Sequence, residues 1–215
     1  KKIYRNFNDR NHFILSKGHA VPALYSVLYN LGKIKKKDLL SFRDIGSNLQ
    51  GHPDRTKLKY IELGTGALGQ GLSVSIGLAL ANLILKKNKK SFCVVGDGEI
   101  QEGQIWEAAM YAGSHKLNNL CVILDNNKMQ NETYTNKTLD VMPLKEKWKA
   151  FKWNVLEING HSYREIDKAF NKFYVEKRKP TIIIANTIKG KGISFMEDSA
   201  LWHSKVLDEK SYLIA

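Results

Sequence analysis

A carboxylate and a carboxamide, each just past an apolar run, are the residues of this chain best placed to do chemistry. Asp97 lies within Gly96-Asp97-Gly98, and Asn127 ends Asp125-Asn126-Asn127 thirty positions on. The runs Phe92 to Val95 and Leu120 to Leu124 read as buried parallel strands, and the segment from about Gly103 to Lys116 as the helix between them. A strand–helix–strand unit of this kind puts both polar groups at the carboxyl edge of a sheet, where open α/β folds bind ligands. A carboxylate, an amide oxygen and nearby carbonyls are hard oxygen donors, which suits Mg²⁺. Glycines on both sides of Asp97 let the backbone come close to a diphosphate. Taken alone, Gly-Asp-Gly is equally a surface turn; the flanking strands and Asn127 are what favour a site.

Other motifs carry plainer readings beside the functional ones. Gly64-Thr65-Gly66-Ala67-Leu68-Gly69 matches G-x-G-x-x-G, but a dinucleotide site wants an acid about 20 residues further on, and Asn82 to Lys87 holds none. Lys189-Gly190-Lys191-Gly192 is not a Walker loop. Glu99, Glu102 and Glu107 read most simply as a polar helix start placed well for the helix dipole. His19, near a helix start that has Pro22 in its first turn, can meet an anion or simply cap. His52 and His161 lie in Gly-His turns, and His161 reads as a structural turn residue. Gly69, Ser73, Gly77 and Ala81 form a small-residue stripe that admits a neighbouring helix.

The elements that must position these residues are those of one α/β domain, 1–215. Strands are expected at Asn11 to Leu15, Lys59 to Leu63, Trp153 to Ile158 and Thr181 to Asn186, besides the central pair. Helices are expected through about Leu31, over Asp38 to Phe42, Leu72 to Leu85, Leu144 to Ala150 and Tyr163 to Val175. The Leu72 to Leu85 helix is apolar almost all round and should be buried. Tyr134 to Leu144 reads as irregular, and the residues up to Ala215 form no clear element. Alternating strands and helices argue a doubly wound parallel sheet with helices on both faces.

With 43% hydrophobic and 26% charged residues, the 215-residue chain is globular. No apolar run approaches ~20 residues, so no membrane span is expected. The net charge of +13 is spread over many elements without a nucleic-acid motif, and is better used to steer anionic sugars. Cys93 and Cys121 fall in buried strands, as in a reduced cytoplasmic protein. Asn131-Glu132-Thr133 fits a glycosylation triplet but has no use in that compartment.

Gly-Asp-Gly followed by Asn-Asn is the thiamine-diphosphate signature, and Gly96 to Gly113 (GDGEIQEGQIWEAAMYAG) resembles transketolase in its split, two-chain form. The resemblance runs from about Asn11 to Lys205 and implies the thiamine-diphosphate-binding fold. By this likeness Asp97, Asn127 and the carbonyl of Met129 hold Mg²⁺ (or Ca²⁺ or Mn²⁺ in its place). His19 of the Ser-Lys-Gly-His-Ala segment meets the diphosphate, with Gly98 and Glu99 also at the cofactor. Gly66, Ala67 and Leu68 lie along its aminopyrimidine ring. His52 meets the donor's hydroxyls, and His203 faces the diphosphate or the reacting thiazolium. Ser204 stands where the family usually has glycine. Glu102 and Glu107 belong to a network toward a partner chain.

The implied activity is transfer of a two-carbon ketol unit between sugars or sugar phosphates. It would be completed by a separate carboxyl-terminal, pyrimidine-binding chain in a two-plus-two assembly. By the resemblance, about 50 further residues, including another histidine near the substrate, are expected ahead of the His19 motif, consistent with the abrupt start of the chain. A deoxyxylulose-phosphate synthase, a non-catalytic cofactor-binding paralogue and a nicotinamide dehydrogenase are the alternatives.

Overall fold

The computed structural model describes residues 11–131 and 133–215. The first ten residues of the expected domain, and Glu132 of the Asn-x-Thr triplet, lie outside the described residues. Five parallel strands form the central sheet: β1 (His12–Leu15), β2 (Ser91–Gly96), β3 (Leu120–Asn126), β6 (Asn154–Asn159) and β7 (Thr181–Asn186). Their spatial order is β1-β2-β3-β7-β6. A two-residue ribbon, β4 (Met129–Gln130) with β5 (Thr133–Tyr134), follows β3 directly.

Alternation along the strands sorts the core into two faces. Ile14, Cys93, Val95, Val122, Leu124, Ile182 and Ile184 point to one face, covered by α3 (Gln70–Ile84), α4 (Gly103–Ser114) and α6 (Leu144–Ala150). Their neighbours Phe92, Cys121 and Ile183 meet α7 (Tyr163–Val175) on the other face. Leu15 packs there against α1 (Val21–Asn30). The two cysteines are therefore buried on opposite faces and both are free. This is the doubly wound arrangement that alternating strands and helices imply. No helix among the described residues is long and apolar enough to cross a membrane.

Four local expectations fail, each for a visible reason. Lys59 to Leu63 adds no strand: Ile61 is buried beside α1, and the Glu62 side chain accepts from the Phe13 amide at 3.0 Å, so it occupies a hydrogen-bonding group of the edge strand itself. Tyr134 to Leu144 contains part of the ribbon and a short turn of helix, α5 (Thr135–Thr138). The chain end forms α8 (Glu209–Ile214), capped by Asp208, whose side chain accepts from the Ser211 amide.

Helix α3 is the most informative miss. Leu72, Ser75, Ile76 and Ala79 are buried, but Val74, Leu83, Ile84 and Leu85 are exposed, and Ser73, Gly77 and Ala81 face outward with them. Its all-round apolarity therefore does not mean burial within this chain. Helix α2 is Lys36–Leu40, slightly earlier than expected.

Candidate functional site

The carboxyl ends of β1, β2, β3 and β7 open into one cleft of about 250 Å³. Its floor is a cradle of three glycine-rich turns tied together by one buried carboxylate. Glu99 is 2% exposed. Its Oε1 accepts from the Ser16 hydroxyl and from the Gly69 amide at 2.9 Å, and its Oε2 accepts from the Gly96 amide at 3.0 Å. The turn after β1, the loop before α3 and the turn after β2 are thus fixed relative to one another.

Glycine is required where these turns meet. A Cβ on Gly71 would stand 2.5 Å from the Ser16 Oγ, and Gly69 opens α3 with φ +82. A Cβ on Gly98 would fall 2.7 Å from the Gln130 Cβ, inside the space the cleft keeps open. The Gln130 Oε1 is buried without a hydrogen-bond partner among the described residues.

Asp97 is buried on the cleft wall, accepting from the Gly98 amide at 2.9 Å and from the Lys128 amide. Burial pushes its carboxyl up to about 6, against the pull of those amides and of Lys17. Asn127 turns its Oδ1 to the Met129 amide at 2.9 Å, so the two residues share one tight turn beside Asp97.

Asp125, one pairing step away, behaves differently. Burial pushes its pKa up, but Lys17 at 2.6 Å and the Thr187 hydroxyl outweigh that and hold it below the usual range. Asp125 is ion-paired with Lys17, whereas Asp97 has no ion pair among the described residues.

Positive groups gather opposite. Lys17 and Lys189 line the cleft with His19 and His203. The two imidazoles stack with centroids 5.0 Å apart. The Lys189 ammonium donates to the His203 Nδ1 at 3.0 Å, which puts the His203 proton on Nε2. Burial of its ring surface, then the charges of Lys17, His203, Lys189 and His52, holds His19 down to about 4, although the residue remains partly exposed. Burial and Lys189 lower His203 as well. Burial first, and neighbouring positive charge second, lower His19, Lys189 and His203 together, which is the electrostatic form of an anion site.

The structure brings Asp97, Gly98, Glu99, Glu102, Asn127, Met129, Leu68, His19 and His203 to this cleft. His52 is exposed in an adjoining hollow that it shares with Gly66 and Ala67, its Cδ2 3.5 Å from where a Gly66 Cβ would sit. Glu107 lies apart, exposed on α4 beside Met110 and Tyr111. Both oxygens of Glu99 are engaged by the protein, so it acts by holding loops. Lys17, Lys189 and Gln130 received no role from the sequence, although Lys17 adjoins the His19 motif and Lys189 ends the extension of β7.

A buried uncompensated carboxylate, an adjacent amide turn, a glycine cradle and four facing cationic or imidazole groups fit a metal-bound polyanion. Among the described residues no three His, Cys, Asp or Glu gather as a protein metal cage.

The family model "Transketolase, thiamine diphosphate binding domain" matches residues 3–212. The chain is 40% identical over 203 residues to an apulose-4-phosphate transketolase subunit of Phocaeicola vulgatus, covering 94% of this chain and 72% of that protein. It is 41% identical over 207 residues to 6-deoxy-6-sulfo-D-fructose transketolase subunit SqwG of a Clostridium species, covering 96% and 75%. The crystal structure of Campylobacter jejuni transketolase superposes with a TM-score of 0.85 at 35% identity, over 91% of this chain but 32% of that one. The chain thus spans most of the two subunits but less than half of the longer transketolase. With a family match along nearly its whole length and this identity to two transketolase subunits, the chain belongs to the transketolase family, as its thiamine diphosphate binding domain.

Proposed function

We propose that this chain is the diphosphate-holding subunit of a thiamine-diphosphate-dependent transketolase that moves a two-carbon ketol unit between sugars or sugar phosphates. The observation that carries the reading is Asp97, buried and pushed up to about 6 on the wall of a cleft whose other side carries Lys17, Lys189 and His19. Such a carboxylate gains most from a divalent cation, and such a cleft from a diphosphate.

In this reading Asp97, the Asn127 amide oxygen and the Met129 carbonyl hold Mg²⁺. Thiamine diphosphate held there would supply a nucleophilic thiazolium carbon for ketose carbonyl chemistry. The chain's own residues do the rest. Gly98 would give close backbone approach, Lys189 and the Lys17 of the Lys17–Asp125 pair would offset the diphosphate charge, and His19, a neutral imidazole near pH 7, would donate a hydrogen bond to it. Gly66, Ala67 and Leu68 pass beside the ring. His52, in the adjoining hollow, meets donor hydroxyls, and His203, with its proton on Nε2, offers a donor toward the reacting carbonyl.

Glu102 at the start of α4 and Glu107 further along it face a separate pyrimidine-binding chain that supplies the activating glutamate. The outward apolar side of α3, with Met110 and Tyr111 of α4, supports a large interface there, and we read the assembly as two-plus-two. Two relatives, covered to 72% and 75% by this chain, are named as transketolase subunits, which supports a partner chain. Two buried free thiols support a cytoplasmic setting.

The test is calorimetric titration of thiamine diphosphate into the chain with its partner, with and without Mg²⁺, followed by an assay of donor-ketose cleavage. Mg²⁺-dependent binding, and activity only with the partner, are expected. Metal-independent binding, or full ketol transfer by the isolated chain, would overturn the reading.

A further inference from the structure

The segment from Thr187 to His203 forms a strap that carries both Lys189 and His203 to the cleft. Most of its hydrogen bonds are internal. The Asp198 amide donates to the Lys189 carbonyl at 3.0 Å, the Gly192 amide to Glu197 at 3.0 Å, and the Trp202 indole to the Phe195 carbonyl at 3.0 Å. Next to Lys189, however, the Ile188 amide donates to the Nε2 of His161 at 2.8 Å. His161 stands on the turn after β6, and the fold goes to some length to seat it there. The Gly160 amide donates to the Asn186 carbonyl at 2.8 Å, and a Cβ on Gly160 would be 2.5 Å from the Thr187 Cγ2. Only glycine lets this turn lie against the root of the strap.

We propose that His161 is a positioning residue: its unprotonated Nε2 anchors the Ile188 amide and so sets Lys189 and His203 over the cleft, and protonation releases them. An amide N–H needs an acceptor, and a protonated imidazole has none. Two acidic side chains belong to the elements around His161. Glu197, on the strap, feels the His161 charge, and its own partner is Lys191 at 3.1 Å. A protonated His161 therefore competes with Lys191 for Glu197 as it loses Ile188. On its own side, Glu165 at the start of α7 is engaged with the Asn159 amide at 2.8 Å. The strap thus has two arrangements that one proton exchanges. The consequence for the cofactor rests on the function proposed above; the anchor itself does not.

Amide hydrogen exchange of the strap, corrected for the intrinsic rate, tests the anchor in the isolated chain at pH 7 and pH 5 without any cofactor. Wild type is expected to lose protection at Ile188 about tenfold at pH 5. His161→Gln, whose amide oxygen accepts at both pH values, should stay protected at both, and His161→Leu at neither. Equal wild-type protection at the two pH values, or a H161Q variant that follows wild type downward, would overturn the proposal. Should H161L fold poorly, the wild-type and H161Q pair still decides it. In the second arm, thiamine diphosphate with Mg²⁺ is titrated into the two-chain complex. H161L should bind about tenfold more weakly, with H161Q restored; unchanged binding by a well-folded H161L would remove the positioning role. If wild type itself fails to bind the cofactor, the function reading falls while the exchange result stands.

Discussion

The two walls of the cleft are built on opposite plans. The glycine cradle is organised around Glu99, whose three protein donors are all buried and come from three distant stretches of chain. The strap from Thr187 to His203 bonds mostly to itself, in partly exposed positions, and is tied to the body at its root through Asn126, Asp125 and His161. Buried polar hubs are costly to disturb and fix geometry, whereas self-contained surface segments open at little cost. A site divided in this way keeps the glycine cradle rigid and leaves the strap that carries Lys189 and His203 freer to move.

The largest expected effect lies on the cradle side. Asp97→Ala should remove a metal ligand from a partly dry site at a cost of several kcal/mol. Calorimetry with the partner chain present and Mg²⁺ in excess should then detect no cofactor binding; wild-type affinity would take Asp97 out of the metal site.

Glu99→Ala should follow, because it leaves buried donors without an acceptor at about 1–3 kcal/mol each. Denaturant unfolding should show a midpoint well below wild type. A midpoint within error of wild type would mean that the cradle is not held by this hub, and the contrast between the two walls would dissolve.

Substitutions at the cleft's other groups should spare the fold. His203→Ala is expected to lower kcat by about 10²-fold or more if its proton serves the reaction. His52→Ala should chiefly raise the donor KM, with cofactor affinity little changed in either variant. Identical kinetics for both would place neither at the substrate.

The smallest effect is one of pH. His19 is held down to about 4 in the folded chain, against about 6.5 when unfolded. The unfolded chain therefore takes up a proton first, and the His19 contribution to stability is lost as pH falls from about 6.5 toward 4. Asp97, pushed up to about 6, acts in the opposite sense over much of that window. The comparison must therefore be wild type against His19→Gln, which keeps Asp97: the variant should lose less stability between pH 7 and pH 4.5. Parallel losses would show that neither burial nor the neighbouring positive charge depresses His19.

The sequence by itself determined the central strands of the sheet, because strands buried on both faces require unbroken apolar runs such as Phe92 to Val95 and Ile182 to Ala185. It determined the central site as well, because Asp97 and Asn127 follow strand ends directly and strand direction alone sends them to one edge. What only the tertiary structure decided depends on contacts between distant stretches. Glu99 reads as a helix-start acid until Ser16 and Gly69 arrive to take its oxygen. Lys17 and Asp125 lie 108 positions apart, so nothing local says that one neutralises the other and leaves Asp97 bare. Helix α3 gives the converse case, since all-round apolarity does not say which of its faces this chain buries. His161 passes for a turn residue until β6 and β7 are laid side by side, because a hydrogen bond to Ile188 exists only once the sheet has brought the two strand ends together.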